Sequence, residues 1–580
     1  MTTTRSHKAQ KVLERFEKKL SRQIVSSLVA CVHCGNCTKA CHYVLANPDD
    51  PTYAPAYKAD RIRRIFKRHF DWTGRLFPWW VHARSVYTDE DLEELKDVVF
   101  GKCTNCRRCS INCPMGVDFA VFNRMARGLL VSVGVMPEGV AVVSKDQWEI
   151  GNQMGVLKEE YIETLEWLAE ELQAELDDPR ATIPIDVPDC DVVYSINPRE
   201  VKYDPRTISD AAKIFYAAAE RWTMPSEGWD MTNFGLFSGD DELGGAVARR
   251  LYEKVEALRG RMLVISECGH GYRSTRCEGP NWAARDIKAF EMESSVITML
   301  RYIREGRITV DKSRNQTPVT FHDSCNNARS CGLFEEPREL LQLVCTDFRE
   351  MYPNRAENYC CTGGGGAMSM SEYTPRRLKS AKIKADQLKS TGAEIVVTSC
   401  HNCVDGLTDL IRHYKLGIQV TQLVNLVANA LVIEPRKVEV VVAPPVAEAA
   451  PLAGYRILVA DDEPDFAAFV STVLQDNGAT VFEAYDGDET IDLARREKPD
   501  LITLDINMPG RSGDEVFEFM RHDHDLRSIR VCIITGKPEL RRLIYERPVP
   551  PPEGYVDKPV SDEALLLNVK KILEVTTEKG

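Results

Sequence analysis

A chain of 580 residues is too long for one hydrophobic core, so three or four domains are expected. Its 43% hydrophobic and 28% charged residues are ordinary for a globular protein, and a formal net charge of -13 argues against a nucleic-acid partner, which would demand a basic domain. No apolar run of about 18 residues reads as membrane-spanning, and the charged N-terminus MTTTRSHKAQKVLERFEKKL lacks a secretory stretch, so a cytoplasmic address is expected.

In chain order, residues 1–30 read as an amphipathic helix leading into a first cysteine cluster at 31–41. A basic and aromatic insert follows, then a second cluster at 103–113 and a mostly helical stretch to 180. From about 185 to 430 short apolar strands such as DVVYSI, MLVIS, VTFHDS and EIVVTS alternate with helices, which implies parallel sheets with helices on their faces. This region reads as a repeat: VVYSINP (192–198) resembles VTFHDSC (319–325), NFGLFSGD (233–240) resembles YCCTGGGG (359–366), and MLVISECGHG (262–271) resembles IVVTSCHNC (395–403). An Ala/Pro-rich linker and a further strand–helix alternation complete the chain. The expected domains are therefore 1–180, 181–315, 316–432, a linker at 433–454, and 455–580.

The 19 cysteines demand a reason. A reducing compartment disfavours disulfides, and the two-residue gaps between thiols suit metal ligation instead. Cys31-x-x-Cys34-x-x-Cys37-x-x-x-Cys41 and Cys103-x-x-Cys106-x-x-Cys109-x-x-x-Cys113-Pro114 form the two halves of a bacterial two-cluster ferredoxin signature. In that arrangement three closely spaced cysteines wrap one corner of a cube, and the fourth crosses to the neighbouring cluster. Cys31, Cys34, Cys37 and Cys113 are thus expected to hold one [4Fe–4S] cubane, and Cys103, Cys106, Cys109 and Cys41 the other. Paired zinc sites are the competing reading, but structural zinc usually takes two separate cysteine pairs. His42 stands where a proline often follows the fourth cysteine. The insert between the clusters carries ADRIRRIFKRHF and DWTGRLFPWWVHAR; Phe77, Trp79 and Trp80 either pack as core, the commoner fate of such rings, or dock on a membrane partner.

A third constellation comprises Cys325, the adjacent pair Cys360-Cys361, and Cys400-x-x-Cys403. Adjacent cysteines rarely bond to each other. Cys325 and Cys400 each follow a predicted strand, at the edge where open parallel sheets bind ligands. Gly363 to Gly366 would let the backbone approach an inorganic cluster closely. This pattern resembles the tandem cysteine-rich CCG domains of heterodisulfide reductases. Together with the ferredoxin motifs it resembles the catalytic D subunit of that enzyme and, more closely, the related K subunit of the sulfite-reduction electron-transport complex, over roughly residues 10–430. The resemblance implies an α-helical two-cluster ferredoxin-like domain followed by α/β CCG domains. It also implies a special five-cysteine [4Fe–4S] centre on Cys325, Cys360, Cys361, Cys400 and Cys403 that cleaves a disulfide or trisulfide. Thr362 departs from the family glycine, and the first repeat retains only Cys268 of the set, so one such centre is expected. Cys268 and His270 are expected near it, with His270 either supplying a proton to the leaving thiolate or forming a purely structural turn. Cys190, Cys277, Cys331, Cys345 and Cys532 read as small buried residues.

Residues 455–578 resemble a response-regulator receiver of flavodoxin-like (βα)5 fold. YRILVADDEPDF carries Asp461 and Asp462, LITLDINMPG carries Asp505, CIITGK carries Thr535, and YVDKP carries Tyr555 and Lys558. The resemblance makes Asp505 the phosphoacceptor, Asp462 and Asp505 with the Asn507 carbonyl the Mg²⁺ ligands, and Lys558 and Thr535 the phosphoryl partners. A receiver that has lost phosphorylation and only docks is the bland alternative. The proline-rich ERPVPPPEG before Tyr555 is unusual for such a domain.

The leading expectation is an iron–sulfur subunit, peripheral on the inner face of the cell membrane. It would take electrons from a quinol through a membrane cytochrome b-type subunit, reduce a disulfide or trisulfide that is small or sits on a thiol carrier protein, and answer to a sensor histidine kinase. Two others stand beside it: a relay subunit of a flavin dehydrogenase of glycolate, lactate or glycerol-phosphate, and a redox-sensing signalling protein.

Overall fold

The computed structural model describes residues 5–433, 450–536, 544, 547 and 549–574. Most of the expected linker and part of the proline-rich run 546–554 lie outside the described residues. The chain divides into two compact units. One comprises Met1–Ile162, Pro184–Arg199 and Ile214–Val432, the other Glu163–Ile183, Glu200–Lys213 and Ile433–Gly580. The ferredoxin-type region and both repeats therefore share one unit, and two short segments of the middle of the chain group with the C-terminal part.

The N-terminal part of the first unit is helical. Helix His7–Lys19 is capped by the Ser6 hydroxyl, which accepts from the Ala9 amide at 3.2 Å. It buries Ala9, Val12, Leu13 and Phe16, an apolar stripe at helical spacing. Helices Pro55–Phe70 and Phe119–Val131 build the same core. Arg127 in the latter is fully buried, with its guanidinium over the Phe100 ring.

Two parallel sheets follow. Strands β1 (Val192–Ser195), β2 (Trp222–Thr223), β3 (Met262–Ile265) and β4 (Glu291–Ser294) lie in the order β2-β1-β3-β4. Strands β5 (Val319–His322), β6 (Ile395–Thr398) and β7 (Gln419–Thr421) lie in the order β5-β6-β7. β1 and β5 are buried at every position, as expected for strands covered on both faces. The segments that repeat in sequence take equivalent places: β1 pairs with β3 from Val192↔Met262, and β5 pairs with β6 from Val319↔Ile395.

The second unit holds a five-stranded parallel sheet of β8 (Arg456–Ala460), β9 (Thr480–Ala484), β10 (Leu501–Leu504), β11 (Arg530–Thr535) and β12 (Gly554–Asp557), in the order β12-β11-β10-β8-β9. Alternate strand residues feed two cores, Leu458, Ile502 and Ile533 on one face and Ile457, Val459, Leu501 and Cys532 on the other. Within this unit Asn568 and Lys571 of helix Asp562–Ile572 bond Glu171 and Glu170.

Candidate functional site

The C-terminal edge of the second parallel sheet gathers sulfur. Cys325 follows β5, Cys400 follows β6 as the residue that precedes helix His401–Tyr414, and Cys403 sits in the first turn of that helix. The loop with Cys360 and Cys361 closes over them. The Cys361 and Cys403 sulfurs are 3.3 Å apart. Cys400 hydrogen-bonds Cys403, Cys360 hydrogen-bonds Cys361, and Cys325 lies within electrostatic reach of Cys361 and Cys400. Four of these thiols are buried and Cys325 is partly exposed; none of the 19 cysteines is in a disulfide. Backbone amides point at the adjacent pair, Thr362 N at 3.2 Å from the Cys360 sulfur and Gly363 N at 3.4 Å from that of Cys361, a polarity that favours thiolates.

Two of the glycines beside the pair are also required by backbone packing. A Cβ on Gly363 would stand 2.0 Å from the Asn402 carbonyl oxygen, and one on Gly365 2.4 Å from that of Thr104. The close approach is backbone against backbone. Thr362 has φ of 70°, the left-handed region in which a glycine is at home.

Cys268 and His270 reach this place from the first repeat. The Cys268 sulfur hydrogen-bonds Cys400 and lies 3.3 Å from His270 Nδ1, which in turn is 3.0 Å from Asn402 Nδ2. Burial pushes His270 down to about 4, against the pull of Cys400. Sequence reasoning missed three neighbours. His322 is buried against Cys361 and lies 3.2 Å from Asn358 Nδ2; the Asn358 side-chain oxygen accepts from Lys384 Nζ at 2.6 Å. Lys384 is fully buried and brought down to about 7 by desolvation, against the pull of Cys361 and Asp323. His322 stood in VTFHDSC next to the motif, but nothing in the sequence around Lys384 marks it.

Seven of the eight ferredoxin-type cysteines fall into two groups. Cys37 senses Cys31 and Cys113, whereas Cys41 senses Cys106 and Cys103, and Cys109 senses Cys41, Cys106 and Cys103. Cys34 is exposed. The second group abuts the five thiols: Cys106 hydrogen-bonds Cys360, and the Thr104 hydroxyl lies 3.4 Å from the Cys360 sulfur. His42, buried, lies beside Cys106. A cleft of about 430 Å³ opens next to this junction, lined among others by Thr104, Asn105, Arg107, Arg124, Arg273 and Asn326.

Two expectations need correction. Trp79 and Trp80 are each 73% exposed and Trp72 69%, with Phe77 and Leu76 also open, so the aromatic insert is a surface patch rather than core. Cys190, Cys345 and Cys532 are buried as expected, but Cys277 is exposed and Cys331 only partly covered.

In the second unit Asp461 and Asp505 end β8 and β10 on one edge of the sheet. Lys558 Nζ lies 2.7 Å from Asp461 Oδ2 and 3.1 Å from Asp505 Oδ2, and the Asn507 amide donates to Asp505 Oδ1 at 3.3 Å. Thr535 is buried at the end of β11 and Tyr555 within β12. Asp461, rather than Asp462, meets Lys558, and Asp461, Glu463 and Asp505 present carboxylate oxygens close enough to share one cation. Asp462 is raised by burial and by Asp505. Among the described residues no helix is long and apolar enough to cross a membrane.

Three families match parts of the chain: a 4Fe-4S dicluster domain over residues 27–117, a cysteine-rich domain over 319–407, and a response regulator receiver domain over 457–570. The chain is 28% identical over 449 residues to the Hdr-like menaquinol oxidoreductase iron-sulfur subunit 2 of Archaeoglobus fulgidus, a match covering 69% of this chain and 79% of that protein. It is 27% identical over 420 residues to the D subunit of the dihydromethanophenazine:CoB–CoM heterodisulfide reductase of Methanosarcina barkeri, covering 71% of this chain and 96% of the relative. Protein PilH of Pseudomonas aeruginosa is 32% identical over 118 residues, 20% of this chain and 97% of its own length.

Proposed function

Because the chain is a heterodisulfide-reductase-D-like iron–sulfur protein whose C-terminal segment belongs to the response-regulator receiver family, we propose that it is the disulfide-reducing subunit of a quinol-linked, membrane-associated oxidoreductase. The observation that carries this reading is the convergence of Cys325, Cys360, Cys361, Cys400 and Cys403 at one sheet edge, next to Cys106.

The donor sets fit the groups the family implies. Seven thiols in two groups, with Cys34 expected to complete the first, suit two cubanes, and five mostly buried thiols with amides aimed at two of them suit a further cluster. When bound, the cubanes supply one-electron transfer and the five-thiol centre supplies the reduction of a disulfide or trisulfide. The chain's own residues set the conditions. The cleft, lined by Thr104 and Asn326 beside the sulfur cluster, is the route we assign to the substrate; Arg107, Arg124 and Arg273 on its walls are each paired with a carboxylate, Asp118, Asp241 and Glu278. His270, through its Nδ1, positions Cys268 and Asn402 beside Cys400. The exposed Trp72, Trp79 and Trp80 form the face for a membrane-embedded quinol-oxidising partner, in keeping with the menaquinol in the name of the archaeal relative. In the receiver, Asp505 is the phosphoacceptor and a histidine kinase is the partner; the Mg²⁺ donors are Asp505, Asp462 and the Asn507 carbonyl, with Asp461 and Glu463 close enough to Asp505 to share the cation.

The test is EPR of the iron-loaded, oxidised chain with and without candidate thiols. A thiol-dependent paramagnetic signal that disappears in Cys360→Ser is expected. If no thiol changes the spectrum, the disulfide chemistry is wrong and simple electron relay takes its place.

A further inference from the structure

Two cysteines outside the ferredoxin-type runs and the five-thiol set, Cys277 exposed and Cys331 partly covered, face each other. Cys277 and Cys331 have their sulfurs 3.8 Å apart, although 54 residues separate them in sequence. Cys277 lies in the turn Arg273–Glu278, which continues helix Gly269–Tyr272 from Cys268 and His270. Cys331 ends the turn Asn326–Ser330, which starts at Cys325. The two turns are held against each other: Arg273 Nη1 donates to Asn326 Oδ1 at 3.3 Å, and a Cβ on Gly269 would stand 2.3 Å from the Ser324 hydroxyl. We propose that Cys277 and Cys331 form a redox-active dithiol, a site of thiol–disulfide exchange with low-molecular-weight disulfides that is separate from the five-thiol centre.

Geometry and charge both suit this chemistry. A disulfide needs sulfurs at about 2.05 Å, so closure from 3.8 Å requires side-chain rotation by two residues whose backbones are already pinned. The hydrogen bond with Cys331, helped by Arg276 and Arg273 against burial and Glu278, brings Cys277 down to about 7; the same hydrogen bond, together with burial and against the two arginines, pushes Cys331 up. Cys277 is then the attacking thiolate and Cys331 the resolving thiol. The thiolate attacks one sulfur of RSSR and expels RS⁻, leaving Cys277–S–S–R. The Cys331 sulfur, giving up its proton, attacks the Cys277 sulfur and expels the second RS⁻. The sum is two protein thiols and RSSR converted to one protein disulfide and two RSH, and a reducing dithiol reverses it. The new bond ties the turn that follows Cys268 and His270 to the turn that follows Cys325. None of these steps depends on iron chemistry.

The test uses the full, iron-loaded chain under anaerobic conditions, treated with oxidised glutathione, alkylated, digested without reductant and mapped by mass spectrometry, with iron content measured alongside. A linked pair of peptides containing Cys277 and Cys331 is expected at unchanged iron content, lost on adding dithiothreitol and absent in C277S and in C331S. In C331S a glutathione adduct should instead persist on Cys277. The proposal is overturned by a stable glutathione adduct on Cys277 of the unaltered chain, by no reaction at either thiol, or by a link that forms only as iron is lost.

Discussion

Thr362, beside the adjacent cysteine pair, adopts a backbone conformation that costs a β-branched residue. A β-branched residue at φ of 70° is strained by about 1–2 kcal/mol, and its buried hydroxyl has no hydrogen-bond partner among the described residues. Its amide still serves the Cys360 sulfur at 3.2 Å, a contact that does not depend on the side chain. Thr362→Gly should therefore keep the amide and release the strain. A gain of about 1 kcal/mol in unfolding free energy is expected after the extra freedom of glycine in the unfolded chain is subtracted. Urea denaturation of the two proteins measures it, and a loss of stability would mean that the threonine is held there by a contact that outweighs its strain. At this scale the sequence was legible where thiols repeat at short spacing, as in the two ferredoxin-type runs, because adjacency along the chain already enforces adjacency in space. It was silent on Lys384, whose relation to the thiols runs through Asn358 from another loop.

Among the elements, helix Phe119–Val131 holds the first unit together through one side chain. Arg127 donates to the carbonyls of Val99 at 2.9 Å, Cys103 at 2.6 Å, Phe237 at 2.9 Å and Gly365 at 2.6 Å. Those carbonyls come from the ferredoxin-type region, the first repeat and the loop beside Cys360 and Cys361. Four acceptors in one fork is a task for a planar guanidinium, and no apolar or single-nitrogen side chain can reproduce it. Arg127→Met strands all four in a dry interior and should cost on the order of 4 kcal/mol. Arg127→Lys should recover only a minor part. Chemical unfolding followed by far-UV circular dichroism reads both, and a cost below about 1 kcal/mol for the methionine variant would show that water replaces the guanidinium. Strands β1, β3, β5 and β6 were legible because buried parallel strands are written as continuous apolar runs. Arg127 was not, since a buried cation looks in sequence like any solvated one until its acceptors converge. The aromatic insert was undecidable for the converse reason: Trp79 and Trp80 satisfy the composition of a core and of an interface equally.

For the whole molecule, the division into two compact units separates the sulfur chemistry from the carboxylate chemistry. The receiver-type fold could be read from the strand-end aspartates and Lys558, but the grouping of 163–183 and 200–213 with it could not, because those helices carry no motif and belong by position to the preceding region. A ligand specific to one unit should stabilise that unit alone. Mg²⁺ at a hundred times its dissociation constant contributes about 2.7 kcal/mol to whatever it binds, so it should raise one thermal transition of the full chain and leave the iron–sulfur transition in place. The pH dependence follows from Asp461, which burial, opposed by Lys558, raises to about 6. A carboxyl must lose its proton to bind a cation. Above pH 6 the site is ready, and below it each unit of pH should weaken Mg²⁺ by about tenfold as the proton competes. Labelling of the chain by acetyl phosphate with Mg²⁺ should follow the same curve and vanish in Asp505→Asn. Persistent labelling of that variant, or a Mg²⁺ effect that grows as the pH falls through 6, would remove Asp505 and Asp461 from the roles given them here.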